Sequence, residues 1–135
     1  MPDEPRSAQI TLTATISPSE SPEKVLLAVK SLVGDCASEI HESVDEVRLA
    51  SNDIRSLRLV HDQLRDRRIR DAARRFLLKT REGNSLLLLL NRQAAYVGTV
   101  AICSTPEESP LGPIFLRVTS DDPDAVIDWL TAHQS

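Results

Sequence analysis

Apolar and polar residues alternate strictly from Gln9 onward, with Ile10, Leu12, Ala14 and Ile16 on one side of an extended segment and Thr11, Thr13 and Thr15 on the other. A period of two over β-branched residues predicts a half-buried strand, ended by Pro18. Ser21-Pro22-Glu23 then reads as a helix start, with a serine N-cap, proline at the first helical position and an acid in the first turn. Val25, Leu26, Val29 and Leu32 follow at helical spacing, and Gly34 is the expected left-handed stop. Two short strands are expected over residues 38–44 and 46–51. Their rim carries Glu39, Glu42, Asp45 and Glu46. Strand alternation points several of these carboxylates apart, so a solvated hairpin edge is expected and not a metal cluster.

Ser51-Asn52-Asp53 caps a long helical region in which Ile54, Leu57, Val60, His61 and Leu64 keep the helical period. No Gly or Pro interrupts residues 53–81, yet the apolar phase shifts near 65–68, which predicts a bend or two helices meeting there. Gly83-Asn84 breaks the helix. Residues 85–91 hold five consecutive leucines, short enough for a central strand covered on both faces. Ala94-Ala95 is expected to turn the chain. Residues 96–103 are expected to return as the partner strand, with a bulge at Gly98. Residues 104–113, STPEESPLGP, form a loop, and Ile114, Leu116 and Val118 alternate inward on a last strand. Asp121-Asp122-Pro123-Asp124 suits a capped helix start, with Val126, Trp129 and Leu130 on its buried face.

The resulting order, β-α-β-β-α-α-β-β-β-α, implies an α+β two-layer domain over residues 9–135 behind a disordered lead-in, 1–8. Its sheet is expected to be largely antiparallel with helices on one face. The leucine strand then has a side left over, which must meet a second layer or another copy of the chain. A homodimer is therefore a separate expectation, drawn from residues 86–90 and Leu78.

Composition narrows the function. The chain has 135 residues, 41% apolar and 27% charged, as in a globular domain, and no apolar run long enough for a bilayer. No secretory signal is read at the amino terminus, and no membrane partner is expected. Cys36 and Cys103 have no C-x-x-C spacing; they could form one disulfide, but buried free thiols are the expectation. His41, His61 and His133 lie on separate elements without metal-ligand spacing, and His61 suits a hydrogen-bonded structural role. No nucleophile elbow, phosphate loop or dinucleotide fingerprint is present. A protein without catalytic residues, bound metal or cofactor is expected.

The net charge of −4 argues against a general nucleic-acid binder, but the charge is unevenly placed. Residues 65–81 carry eight basic and two acidic side chains, net +6, and the remainder eight basic and eighteen acidic, net −10. As a helix, this stretch buries Ile69, Ala72, Ala73, Phe76 and Leu77. Arg67, Arg70, Arg74 and Arg81 then form one band on the far side. Arg68, Arg75 and Lys79 form a second, with Leu78 between them. With Arg92 in the turn after the leucine strand, these make a candidate surface for RNA backbone, which would carry no sequence information. Tyr96 is the aromatic proposed as a base platform, since Phe76 and Trp129 face the core and Phe115 lies in a strand. One platform favours structured RNA over single strands. The competing class is a dimeric protein–protein interaction module.

Several segments resemble those of archaeal uncharacterised protein family 0201: LRDRRIRDAARRFLL (64–78), LNRQAAYVG (90–98), SPLGPI (109–114) and DDPDAVIDWL (121–130). With the first strand and the Ser-Pro-Glu helix start, the likeness spans nearly the whole chain. It departs at Arg92, where the family is expected to have lysine, and at Thr131-Ala132, in place of alanine-proline. The resemblance implies a cytoplasmic archaeal protein related to predicted RNA-binding, exosome-associated proteins. It also implies a fold similar to that of the ribosomal protein that binds 5S RNA.

Overall fold

The computed structural model describes residues 8–33, 39–64 and 67–131, leaving out the side chain of Arg67. The expected helix stop at Gly34, Cys36, the junction at 65–66, His133 and residues 1–7 lie outside the described residues. Ala8, assigned above to the lead-in, is buried against the core.

Six strands form one sheet, β1 (Gln9–Thr15), β2 (Glu39–Glu42), β3 (Glu46–Ser51), β4 (Ser85–Leu90), β5 (Ile102–Cys103) and β6 (Ile114–Thr119), in the order β2-β3-β1-β6-β4-β5. Every neighbouring pair is antiparallel. Five α-helices are described: α1 (Pro22–Val33), α2 (Arg58–Gln63), α3 (Arg67–Thr80), α4 (Arg92–Tyr96) and α5 (Pro123–Thr131). The architecture is α+β. Among the described residues, no helix is long and apolar enough to cross a membrane.

The alternation read from the sequence sets which face of the sheet is covered. Ile10, Leu12, Ala14, Val47, Leu49, Leu86, Leu88, Leu90, Ile114, Leu116 and Val118 are all buried beneath the helices. Their neighbours Thr11, Thr13, Arg48, Leu87, Phe115 and Arg117 point the other way, to a face on which they are half-buried or exposed. Leu89 also points outward but is itself buried. Of the leucine strand's outward pair, only Leu87 remains partly open.

The helix starts follow their capping chemistry. The Lys24 N–H reaches Ser21 Oγ at 3.4 Å, and the Ala125 N–H donates to Asp122 Oδ1 at 3.1 Å. The long helical region is divided, α2 ending at Gln63 and α3 beginning at Arg67. His61 stacks on Trp129, with ring centroids 4.5 Å apart, and its Nδ1 lies 3.0 Å from Asp62 Oδ1. Cys103 is a buried free thiol, its pKa raised by burial and secondarily by Glu108.

One element differs from expectation. Residues 96–103 are not a continuous strand: residues 92–96 form α4, and only Ile102–Cys103 pairs with β4. Asn91 explains the difference, because its side chain accepts from the Ala94 N–H at 3.0 Å and caps a short helix. Gly98, at φ 73°, ends the excursion in a conformation costly for a side chain.

Candidate nucleic-acid interface

α3 forms because its apolar residues recur every three to four positions and no Gly or Pro interrupts them. Ala73 and Leu77 are buried, and Ile69 and Phe76 pack partly buried against the core. The helix lies on β4 and beside α5, and that second contact decides which cations stay available.

The band formed by Arg67, Arg70, Arg74 and Arg81 does not remain an open flank. Arg70 is only 8% exposed. Arg74 Nη1 donates to Asp128 Oδ1 and Thr131 Oγ1, both at 3.1 Å. Arg81 Nη1 pairs with Asp124 Oδ1. The acidic start and outer side of α5 thus answer the arginines of α3. The continuous basic surface expected from the sequence is reduced accordingly. Nothing is described of the Arg67 side chain.

The second band keeps its exposure. Arg68, Arg75 and Lys79 are exposed, and Leu78 beside them is 51% exposed. Separations of seven and four residues place the three cations in one stripe along the helix. Among the described residues, Arg75 and Lys79 make no ion pair.

Arg92 is a correction. Its side chain has 0% exposure and cannot touch an external polyanion. Nη1 donates to Glu20 Oε1 at 2.7 Å and to the Thr15 carbonyl, and Nε donates to the Gly112 carbonyl at 3.0 Å. The Glu20 carboxylate also accepts from the Ser17 N–H and from the Tyr96 hydroxyl, at 3.0 and 2.9 Å. Burial pushes the Glu20 carboxyl up, but these hydrogen bonds together with the Arg92 charge outweigh it and hold it below the ordinary glutamate range. Tyr96 moves the other way, raised by burial and then by the neighbouring carboxylate. Its hydroxyl is engaged, and the residue is 36% exposed.

Sequence reasoning passed over the opposite face of the sheet. Phe115, set aside above as a strand residue, is 36% exposed there, with Arg117 two residues along β6 and Arg48 on β3. The signal was present: if Ile114, Leu116 and Val118 point inward, Phe115 and Arg117 must point out.

Comparison with known proteins completes the picture. A family described as RNA binding matches residues 9–119. A UPF0201 protein of Metallosphaera sedula is 40% identical over 128 residues, covering 94% of this chain and 90% of its own. The chain belongs to the UPF0201 family. A second UPF0201 relative, from Sulfurisphaera tokodaii, is 39% identical and covers 91% of this chain and 86% of its own. The crystal structure of a UPF0201 protein from Methanococcus jannaschii superposes with a TM-score of 0.75 at 25% identity, covering 94% of this chain and 95% of that one. The UPF0201 fold therefore extends over nearly the whole chain.

Proposed function

We propose that the protein binds RNA without catalysing a reaction on it, in the cytoplasm, and holds the backbone of a folded RNA on the exposed stripe of α3. The observation that carries this reading is the placement of Arg75 and Lys79, one helical turn apart and exposed, with no ion pair among the described residues of an otherwise acidic molecule. Arg68 extends the same line. The membership of a family described as RNA binding supports it.

Cations on a helix surface meet phosphates, not base edges, so the interaction recognises the path of the backbone and little sequence. The two contacts unpaired among the described residues, Arg75 and Lys79, correspond to a log–log salt slope of about −2 on a duplex. Binding is therefore modest and readily reversed by salt.

A dimeric interaction module is the second reading, favoured by Leu78 standing half exposed beside the basic stripe. Recovery of the protein from its host with and without nuclease separates the two. Loss of all partners after nuclease is the expected result. A stoichiometric protein partner that survives nuclease would replace the RNA reading with the second one.

A further inference from the structure

The face of the sheet opposite the helices carries a shallow cleft of about 390 Å³, lined by Thr11, Thr13, Arg48, Leu87, Phe115 and Arg117. Strand register fixes how these side chains meet. Thr13 lies directly opposite Phe115, and Thr11 opposite Arg117, across β1 and β6. Leu87 lies opposite Arg117 on the other side, and Thr13 is also paired with Arg48. Directly opposed side chains in an antiparallel pair stand roughly 5 Å apart, so these six form one contiguous floor.

We propose that this cleft binds an unpaired nucleotide of RNA, its base stacked on Phe115 and its phosphate held by Arg117. The proposal rests on the reading that the ligand is RNA, and it assigns a second site on the side of the sheet away from α3. Phe115 and Arg117 are two residues apart on one strand, roughly 7 Å, a separation of the same order as that between a nucleobase and its own phosphate. The Arg117 side chain makes no hydrogen bond or ion pair among the described residues. Arg48 is shared with Glu46, 3.2 Å away, but among the described residues no carboxylate lines the cleft itself. The two threonine hydroxyls supply donors and acceptors for base edges or a ribose hydroxyl.

A second copy of the chain fits this face less well. Sheet-on-sheet packing needs interdigitating apolar residues over the whole inner face. Here the outward rows are mostly Gln9, the threonines, Ser85 and the two arginines, and Leu89 is already buried within one chain. An aromatic ring flanked by cations and hydroxyls is the composition of a stacking platform.

The test uses the full-length protein with two labelled probes, an unstructured ten-nucleotide oligouridine and a blunt RNA hairpin, read by fluorescence anisotropy. Phe115→Leu is expected to weaken oligouridine binding about tenfold, as loss of one stacked base does, and to leave hairpin affinity within twofold. Arg117→Gln, at an exposed strand position, is the second variant, expected to flatten the single-strand salt slope by about 0.7. It keeps the test decisive should Phe115→Leu melt early. If wild type binds the hairpin and not oligouridine, or if neither variant changes oligouridine binding, the sheet site is overturned while the α3 reading stands. A wild-type dimer that buries Phe115 would also overturn it. Binding of oligouridine that depends on Phe115, without hairpin binding, would uphold the sheet site and remove the role proposed for α3.

Discussion

Arg92 and Glu20, 72 positions apart in the chain, meet inside the protein with Nη1 2.7 Å from Oε1. The pair ties the segment after β1 to the start of α4, and through the Gly112 carbonyl to the Pro-Leu-Gly-Pro loop. Ser109 Oγ completes the joint, accepting from the Arg92 N–H and donating to the Gly112 carbonyl. Removing one partner strands the other charge in the interior, which costs about 3–5 kcal/mol. Arg92→Met is therefore expected to lower the melting temperature by roughly 10 °C or more. Arg92→Lys retains a cation for Glu20 but loses the Nε bond to Gly112, so its loss should be clearly smaller. Thermal denaturation of the two variants checks the order, and equal losses would mean that the charge is not what Glu20 requires.

The same pair makes stability depend on acid. The Glu20 carboxyl titrates lower in the folded protein than in the unfolded chain. Its contribution is complete above the ordinary glutamate value of about 4.3 and is lost as the pH falls through the lower folded value. Glu20→Gln should be less stable than wild type at neutral pH, with the gap narrowing as the medium is acidified. Urea denaturation across that range reads the effect, and a gap independent of pH would contradict it.

Tyr96 is the chain's single tyrosine, so its titration can be followed without interference. Burial and the Glu20 carboxylate both oppose its ionisation. Its phenolate absorbance should appear above the ordinary tyrosine value of about 10, and Glu20→Gln should bring the midpoint down. A midpoint unmoved by that substitution would show that the Tyr96–Glu20 hydrogen bond is absent in solution.

Asp124 and Asp128 hold Arg81 and Arg74, and under the proposed RNA reading they would compete with phosphate for those two arginines. Both pairs are largely exposed, so Asp124→Asn with Asp128→Asn should cost no more than about 1–2 kcal/mol in total. The two released guanidinium groups should tighten hairpin binding severalfold and steepen the salt slope by up to about 1.8. Anisotropy titrations at several salt concentrations provide the check, and an unchanged slope would mean that the arginines stay out of reach.

Much of this architecture is legible in local patterns. The alternation at Ile10–Ile16, the Ser21-Pro22 helix start and the Asp122 cap each depend on residues a few positions apart, and each has its expected place. What local patterns cannot carry is which cations meet acids distant in sequence. Arg92 looks like an exposed turn residue beside Asn91 and Gln93, and only the fold brings Glu20 to it. Arg74 and Arg81 look free on a helical wheel, because Asp128 and Asp124 arrive from an element more than forty residues later. Residues 96–103 misled for a different reason. β-branched Val97, Thr99 and Val100 favour a strand, but the Asn91 cap and Gly98 override that preference.

The central claim is that phosphate meets α3 at Arg75 and Lys79. The most direct measurement is the affinity of Arg75→Glu with Lys79→Glu for the RNA hairpin, beside wild type, across a range of salt, with thermal denaturation as the control for folding. Affinity at low salt should fall by at least about tenfold and the wild-type slope of about −2 should largely disappear, with the melting temperature nearly unchanged. Hairpin binding of undiminished strength and undiminished salt dependence would contradict the account.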